Sequence, residues 1–328
     1  MKTMKRITFS IALLCATNFS ATAQDTKPFG NLDLGVTLGT TGVGFDVAMP
    51  VHDMVKLRTG FEFMPRFNMD LNFGVESFGE DGIPKGVSID RMSEVLYDLT
   101  GYKVDQNITM KTKPTMWNFK FMVDVYPFKN NKHWHVTAGF HWGPSKIGEA
   151  VNAIEDSPSL FAVGMYNHLY DCAYYDKPII ILDDIGEISF DKNMRKRFIN
   201  MGRMGIPLGT FTHDMTDANG IAHKQGEVYH IEPNENSMVY ADATTNSFKP
   251  YVGFGYEGRL IKGNDNYHIG FDAGVMFWGG TPSIITHEGV NLSKDVENID
   301  GKVGDYVKFV KGVKAFPVLN LRITRTIF

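Results

Sequence analysis

Cysteine is almost missing from this chain, with two residues in 328. Two thiols cannot build a disulfide framework or a Cys-based zinc site. Positive charge in excess is also lacking: the formal net charge is −4, which excludes a general nucleic-acid binder. No apolar run beyond residue 23 approaches the roughly 18 residues of a membrane helix. That removes helical spans but not strand-built ones, which cross with about ten alternating residues. What is present in quantity is glycine, at 33 residues, and aromatics, at 12%, the signature of a strand-rich and turn-rich fold. With 43% hydrophobic residues the chain can bury a core.

The first 23 residues read as an export signal. Lys2, Lys5 and Arg6 precede a short apolar run from Ile7 to Cys15, and Ala21-Thr22-Ala23 supplies the small residues of a cleavage site before Gln24. Leu14 stands where a lipobox needs a small residue, so Cys15 is not expected to carry lipid. Cys172 is then the lone cysteine of the mature chain, and nothing beside it suggests a nucleophile.

Beyond the leader, period-two alternation recurs eight times: near 32–38, 43–51, 55–63, 117–125, 134–142, 252–260, 267–277 and 319–324. The second, fourth and sixth runs are followed by short polar turns, at His52-Asp53, Lys129 to His133, and Lys262 to Asn266. The third, fifth and seventh are followed by long segments, at 67–115, 143–248 and 278–316. An even strand count with short turns at one end and long loops at the other predicts an all-β fold: an eight-stranded antiparallel up-and-down transmembrane β-barrel with long, partly helical extracellular loops. The barrel would span 24–328, with a structured extracellular insertion at about 143–248.

One face of the alternation is aliphatic and aromatic. The other carries Asp33, Asp46, Lys56, Arg58, Glu62, Lys120, Asp124, Glu257, Arg259, Asp272 and Arg322. A narrow eight-stranded lumen cannot hold so many Trp and Phe side chains, so the apolar face is expected to meet lipid and the charges to fill the lumen. Six acids against five bases in a confined space favour mutual pairing over a water-filled channel. With the N-terminus in the periplasm, Phe63, Trp117, Trp142 and Phe277 fall at the outer rim, and Trp134 and Tyr267 at the periplasmic rim. Ten residues from Tyr267 to Phe277 climb roughly 25 Å, the height of the apolar band of such barrels. Three returning strands also share an inward Gly followed by an outward Phe: Gly60-Phe61, Gly139-Phe140 and Gly270-Phe271.

These features together resemble the small outer-membrane β-barrel proteins of Gram-negative, especially Bacteroidetes-type, bacteria. The resemblance rests on the Ala-Thr-Ala-Gln export site, the Gly-Thr-Thr-Gly-Val-Gly hairpin at 39–44, the hairpin pattern and the terminal Ile327-Phe328. It implies outer-membrane lipid, lipopolysaccharide and the outer-membrane insertion machinery as partners. Phe328 is out of phase with Leu319, Leu321 and Ile323; a bulge near Arg325 would restore the phase, and without one the terminal signal is weaker.

The long segments carry their own pattern. A helix is predicted after Ser157-Pro158 through Tyr170, a short strand at 178–182 and a second helix at 193–201. Between 145 and 247, fifteen Asp or Glu face eight Lys or Arg, an acidic, solvated surface that could also meet lipopolysaccharide through bridging cations. Met92, Val95, Leu96 and Leu99 suggest a short helix capped by Ser88 and closed by Gly101. Candidate chemistry is thin. His133 and His135 share a strand face without a third metal ligand. Asp217-Ala218-Asn219-Gly220 suits a β-turn better than a calcium loop, because Met215 and Gly226 occupy the outer ligand positions. The glycines of 39–44 lack a following Lys-Ser or Lys-Thr and so mark a tight reversal. Ser189 and Lys192 stand without companion motifs, and His141 with Ser145 is the nearest approach to a rim triad. No catalytic, cofactor or metal residues are therefore assigned. The expected role is a non-enzymatic surface protein presenting loops for recognition, adhesion or envelope organisation. Porin-like passage of small solutes is the alternative, and a lipid- or peptide-modifying rim enzyme the second.

Overall fold

The computed structural model describes residues 31–79, 82–85, 93, 94, 97, 98, 101, 103, 105, 107–182 and 186–327. The leader, Phe328, Ser88 and the helical positions Met92, Val95, Leu96 and Leu99 lie outside the described residues. Eight antiparallel strands close into a barrel: β1 (Asp33–Gly39), β2 (Gly42–His52), β3 (Val55–Phe63), β4 (Trp117–Val125), β5 (Trp134–Trp142), β6 (Phe248–Ile261), β7 (Asn264–Phe277) and β8 (Ala315–Thr326). Each strand pairs with its neighbours in the chain, and β1 pairs with β8 to close the ring, Val36 opposite Ile323. Closure leaves no unpaired edge, the condition for strands in hydrocarbon.

Alternation sorts the side chains as the sequence pattern requires. Leu34, Val36, Phe45, Phe119, Phe121, Phe254, Phe271, Leu319 and Leu321 are exposed on the outside of the barrel, while Thr37, Asp46, Arg58, Lys120, Asp124 and Asp272 are buried within it. Phe121 and Phe140 meet across the β4–β5 pair on this outer surface, ring centroids 5.9 Å apart. They do not converge on a common centre with Phe271. Gly42, at the reversal from β1 to β2, has φ 101°, and a Cβ there would fall 2.1 Å from the Phe63 carbonyl oxygen. Only glycine meets both demands.

Of the two alternatives for the end of the chain, the structure takes the one without a bulge. Pairing of β8 with β7 and with β1 runs without a register shift through Arg325, so there is no bulge there. Thr324 stays buried and inward, and Thr326 Oγ1 donates to Asp33 Oδ1 at 2.6 Å. The ladder thus keeps its phase, with Thr326 tied to Asp33 inside the lumen.

Above the outer rim the three long connections fold jointly into one cap. A five-stranded sheet runs in the order Ser283–Thr286, Tyr240–Thr244, Lys146–Asn152, Asn107–Pro114 and Met69–Gly74, drawing strands from all three. A second sheet joins Val228–Ile231, Arg203–Phe211 and Val296–Glu297, and Glu76–Phe78 pairs with Arg203 to Gly205. Helix α1 (Ser157–Tyr174) has Pro in its first turn and buries Leu160, Val163, Tyr166 and Tyr170 at helical spacing. Helix α2 (Lys192–Met201) starts where Asp191 accepts from the backbone N–H groups of Asn193 and Met194. Helix α3 (Gly301–Gly312) precedes β8. The main hydrophobic core therefore lies in the cap, not in the barrel. It gathers Ile108, Leu160, Tyr166, Met204, Phe211 and Val290. Each such side chain contributes roughly 1.5–3 kcal/mol by leaving water.

Candidate functional site

The barrel interior is where the strands bring charged side chains together. At the end of the lumen away from the cap, Lys56 Nζ lies 2.6 Å from Asp33 and 3.3 Å from Glu257. Arg322 joins Glu257 at 3.0 Å and approaches Asp272 at 3.8 Å. Arg58 forms the hub: Nη1 reaches Asp272 at 2.9 Å, Nη2 reaches Asp124 at 2.9 Å, and Asp46 stands 3.9 Å away. Lys120 carries the chain upward, 2.8 Å from Asp46 and 3.6 Å from Glu62. At the top, Glu62 accepts from Thr41 Oγ1 at 3.0 Å and from Asn118 Nδ2 at 3.4 Å, and His141 Nδ1 lies 2.8 Å from it. The contacts form one unbroken series from Asp33 to Glu62, and every member is buried or nearly so.

Glycine makes the room. A Cβ on Gly60 would sit 2.4 Å from an Asp46 oxygen, and one on Gly255 would sit 2.5 Å from His135 Nε2. A Cβ on Gly139 would meet Met122 Sδ at 2.7 Å. Within the Gly-Phe repeat, Gly60 leaves space for Asp46 and Lys120 and Gly139 for Met122, while Phe61 and Phe140 stand on the other side of the strand.

Ten of the eleven charged residues expected in the lumen lie in this series. Arg259 does not. Its side chain is 60% exposed and pairs with Asp265 at 2.5 Å across the β6–β7 turn. The last partner of β6 on β5 is Trp134, opposite Tyr256, so the hairpin beyond that point projects past the barrel rim and takes Arg259 with it. Further polar residues fill the lumen: Lys249, ahead of the sixth run, escapes the alternation reading, whereas His135 and Thr137 fall on the polar side of the fifth run. Lys249, wholly buried, donates to Asn118 Oδ1 at 3.2 Å. His135 lies 3.0 Å from Asp272, and Thr137 donates to Asp124 at 2.6 Å. Beside the ionic series, Met122, Tyr251, Met276 and Val318 pack with Trp278 and Met116 into an apolar plug.

Of the rim aromatics, Phe63, Trp117, Trp142, Phe277 and Trp134 are exposed. Tyr267 is half-buried, with the Arg325 guanidinium 5.7 Å from its ring. The two histidines weighed as a metal pair part company: His133 Nδ1 lies 2.7 Å from the Glu257 carbonyl oxygen, while His135 turns to Asp272. His141, weighed as a rim base, is committed to Glu62 and lies edge-on to Tyr251. Asp217 closes its turn by accepting from the Asn219 and Ile221 N–H groups.

The cap holds a second polar centre. Arg203 bridges Asp171 and Glu232 beneath α1. Nearby, Glu288 accepts from Tyr229 Oη at 2.7 Å and from the Glu232 N–H at 3.1 Å. Burial pushes the Glu288 carboxyl up to about 7, and the charges of Glu232 and Asp217 add to the rise, against the pull of its two hydrogen bonds. Burial also pushes the Cys172 thiol up, which makes it a poor nucleophile.

No protein-family model and no curated protein sequence matches the chain. Two solved structures from Acinetobacter baumannii are similar. CarO2 is 12% identical, with 90% of this chain and 98% of that chain covered at a TM-score of 0.37. CarO is 12% identical, with 91% and 97% covered at 0.36.

Proposed function

We propose that this protein is a non-enzymatic integral barrel of a Gram-negative outer membrane, with a lumen closed to solutes and a folded cap displayed to the outside. Secretion through a cleaved leader and insertion by the outer-membrane machinery belong to this reading, as does contact of the cap with lipopolysaccharide. The observation that carries it is the continuous ion-pair series from Asp33 to Glu62, set beside the Met122–Tyr251–Met276 plug. Opening a path between charges packed at 2.6–3.9 Å would leave some of them buried and unpaired, which is costly. The barrel then serves as an anchor, and the specific surface is the cap, built by three loops on a rigid rim. Planar-bilayer recording from purified protein tests this. The expected trace is flat, and steady nanosiemens steps would instead support passage of small solutes.

A further inference from the structure

Between the cap and the barrel rim lies an apolar cavity of about 580 Å³, within the rough 300–1,000 Å³ range of sites that hold small organic ligands. Its existence has a local cause. The central strands of the five-stranded sheet present Gly148, Ala150, Ala241 and Ala243 on the face that lines it, where larger side chains would fill the space. Its floor is the barrel rim, at Trp278, Phe316 and Pro317. One wall is α3, with Phe309 68% exposed at the edge.

Two independent observations say what would fill it. Trp278 is only 7% exposed, and its indole Nε1 has no hydrogen-bond partner among the described residues. A buried donor left unpaired calls for an acceptor that the protein does not supply. Charge supplies the other. The segment 301–314 carries Lys302, Lys308, Lys311 and Lys314 against Asp305 alone, beside an otherwise acidic cap. These four lysines are exposed, and none has an ion-pair partner among the described residues.

We propose that the cavity binds an anionic amphiphile, with the hydrocarbon tail in the apolar chamber, an oxygen of the head accepting from Trp278 Nε1, and the negative charge beside the α3 lysines. A fatty acid from the medium and an acyl chain of a phosphorylated outer-leaflet lipid share this chemistry. The inference rests on the outer-membrane reading only in placing the rim at the lipid surface, and its test does not involve conductance.

The experiment uses the full-length mature protein exchanged into amphipol. Mass spectrometry identifies any lipid retained through purification, and equilibrium binding of radiolabelled palmitate follows after delipidation. The expected result is one saturable palmitate site with a shift in tryptophan emission. Ala243→Trp should abolish binding. Trp278→Phe should weaken it several-fold, and replacing all four lysines by glutamine about tenfold. Hexadecanol, with no charge, should bind more weakly than palmitate and be indifferent to the lysine changes. Because Ala243→Trp can disturb packing, the lysine variant, altered only at exposed positions, carries the decision, with heat-modifiable electrophoretic mobility confirming that each variant is folded. A retained phosphorylated lipid at one per chain identifies the membrane as the source, and an empty site that fills with palmitate identifies the medium. Absence of saturable binding to the folded protein, or binding undiminished in the lysine variant and equal for hexadecanol, would overturn the proposal.

Discussion

Arg58 concentrates the physics of the lumen in one side chain. Its guanidinium pairs with Asp124 on the adjacent strand β4 and with Asp272 on β7 across the interior. The planar fork suits two carboxylates at once in a way an ammonium does not. Arg58→Ala would leave both acids buried without their main partner, a loss of about 3–5 kcal/mol. Arg58→Lys should cost less, since charge is kept and the fork is lost. Urea unfolding followed by electrophoretic mobility should rank the proteins wild type, then Lys, then Ala. An Ala variant as stable as wild type would mean the series is not what holds the interior together. At this scale the sequence was readable wherever alternation was clean. Lys249 was not, because Pro250 and Tyr251 interrupt the polar-in pattern, and an inward aromatic looks like the start of an outward run. Arg259 failed for the opposite reason. The alternation continues past the last residue that the barrel encloses, and period two alone does not mark where the rim falls.

At the scale of elements, the barrel strands and helices α1 and α2 were legible because each is long enough to show its period, with Pro158 marking the start of α1. Of the cap strands only the short one at Ile180–Leu182 was legible. Most span only two to five residues, several partners lie in other loops, and the inward face of the paired strands Lys146–Asn152 and Tyr240–Thr244 is glycine and alanine, which carry no hydrophobic signal. Helix α3 went unread because its glycines and lysines blur its apolar stripe, although Val303, Val307 and Val310 recur at helical spacing. Where two cap elements meet, Glu288 is held against Tyr229 of the second sheet. Its carboxyl titrates near 7 in the folded chain against 4.5 as the ordinary value, so between those pH values the folded state keeps a proton that the unfolded chain has released. Stability of the cap should therefore be greatest below about pH 4.5 from this group and fall by about 3 kcal/mol as pH rises through 7. Glu288→Gln, isosteric with the neutral acid, should remove that slope and be the more stable protein at pH 8. Hydrogen exchange of the Val228–Ile231 strand at pH 5 and pH 8 reads the difference. Equal protection of wild type and variant at pH 8 would show that the carboxyl carries no such strain.

For the whole molecule, the division of labour is unusual in one respect: the barrel, which sets the fold, contains little of the apolar core, and the cap contains most of it. A barrel with an ionic interior cannot be held by its own inside. On the outer-membrane reading proposed above, hydrocarbon outside supplies what the interior does not, because exposed Leu, Val, Ile and Phe exchange contact with water for contact with acyl chains. The placement of these residues was evident from the sequence because lipid and lumen impose opposite demands on successive positions of one strand. The joint folding of three loops into the cap was not, since nothing local records which distant segments pair.

Site-directed nitroxide labelling of the mature protein in liposomes tests that division directly, with Cys172 replaced by alanine. Labels at Val36, Val47, Phe121 and Leu321 should collide freely with dissolved oxygen and scarcely at all with a water-soluble nickel chelate. A label at Asn219 in the cap should do the reverse. If the four barrel positions were relaxed by the nickel chelate as strongly as Asn219, the outward face would be wet and the account contradicted.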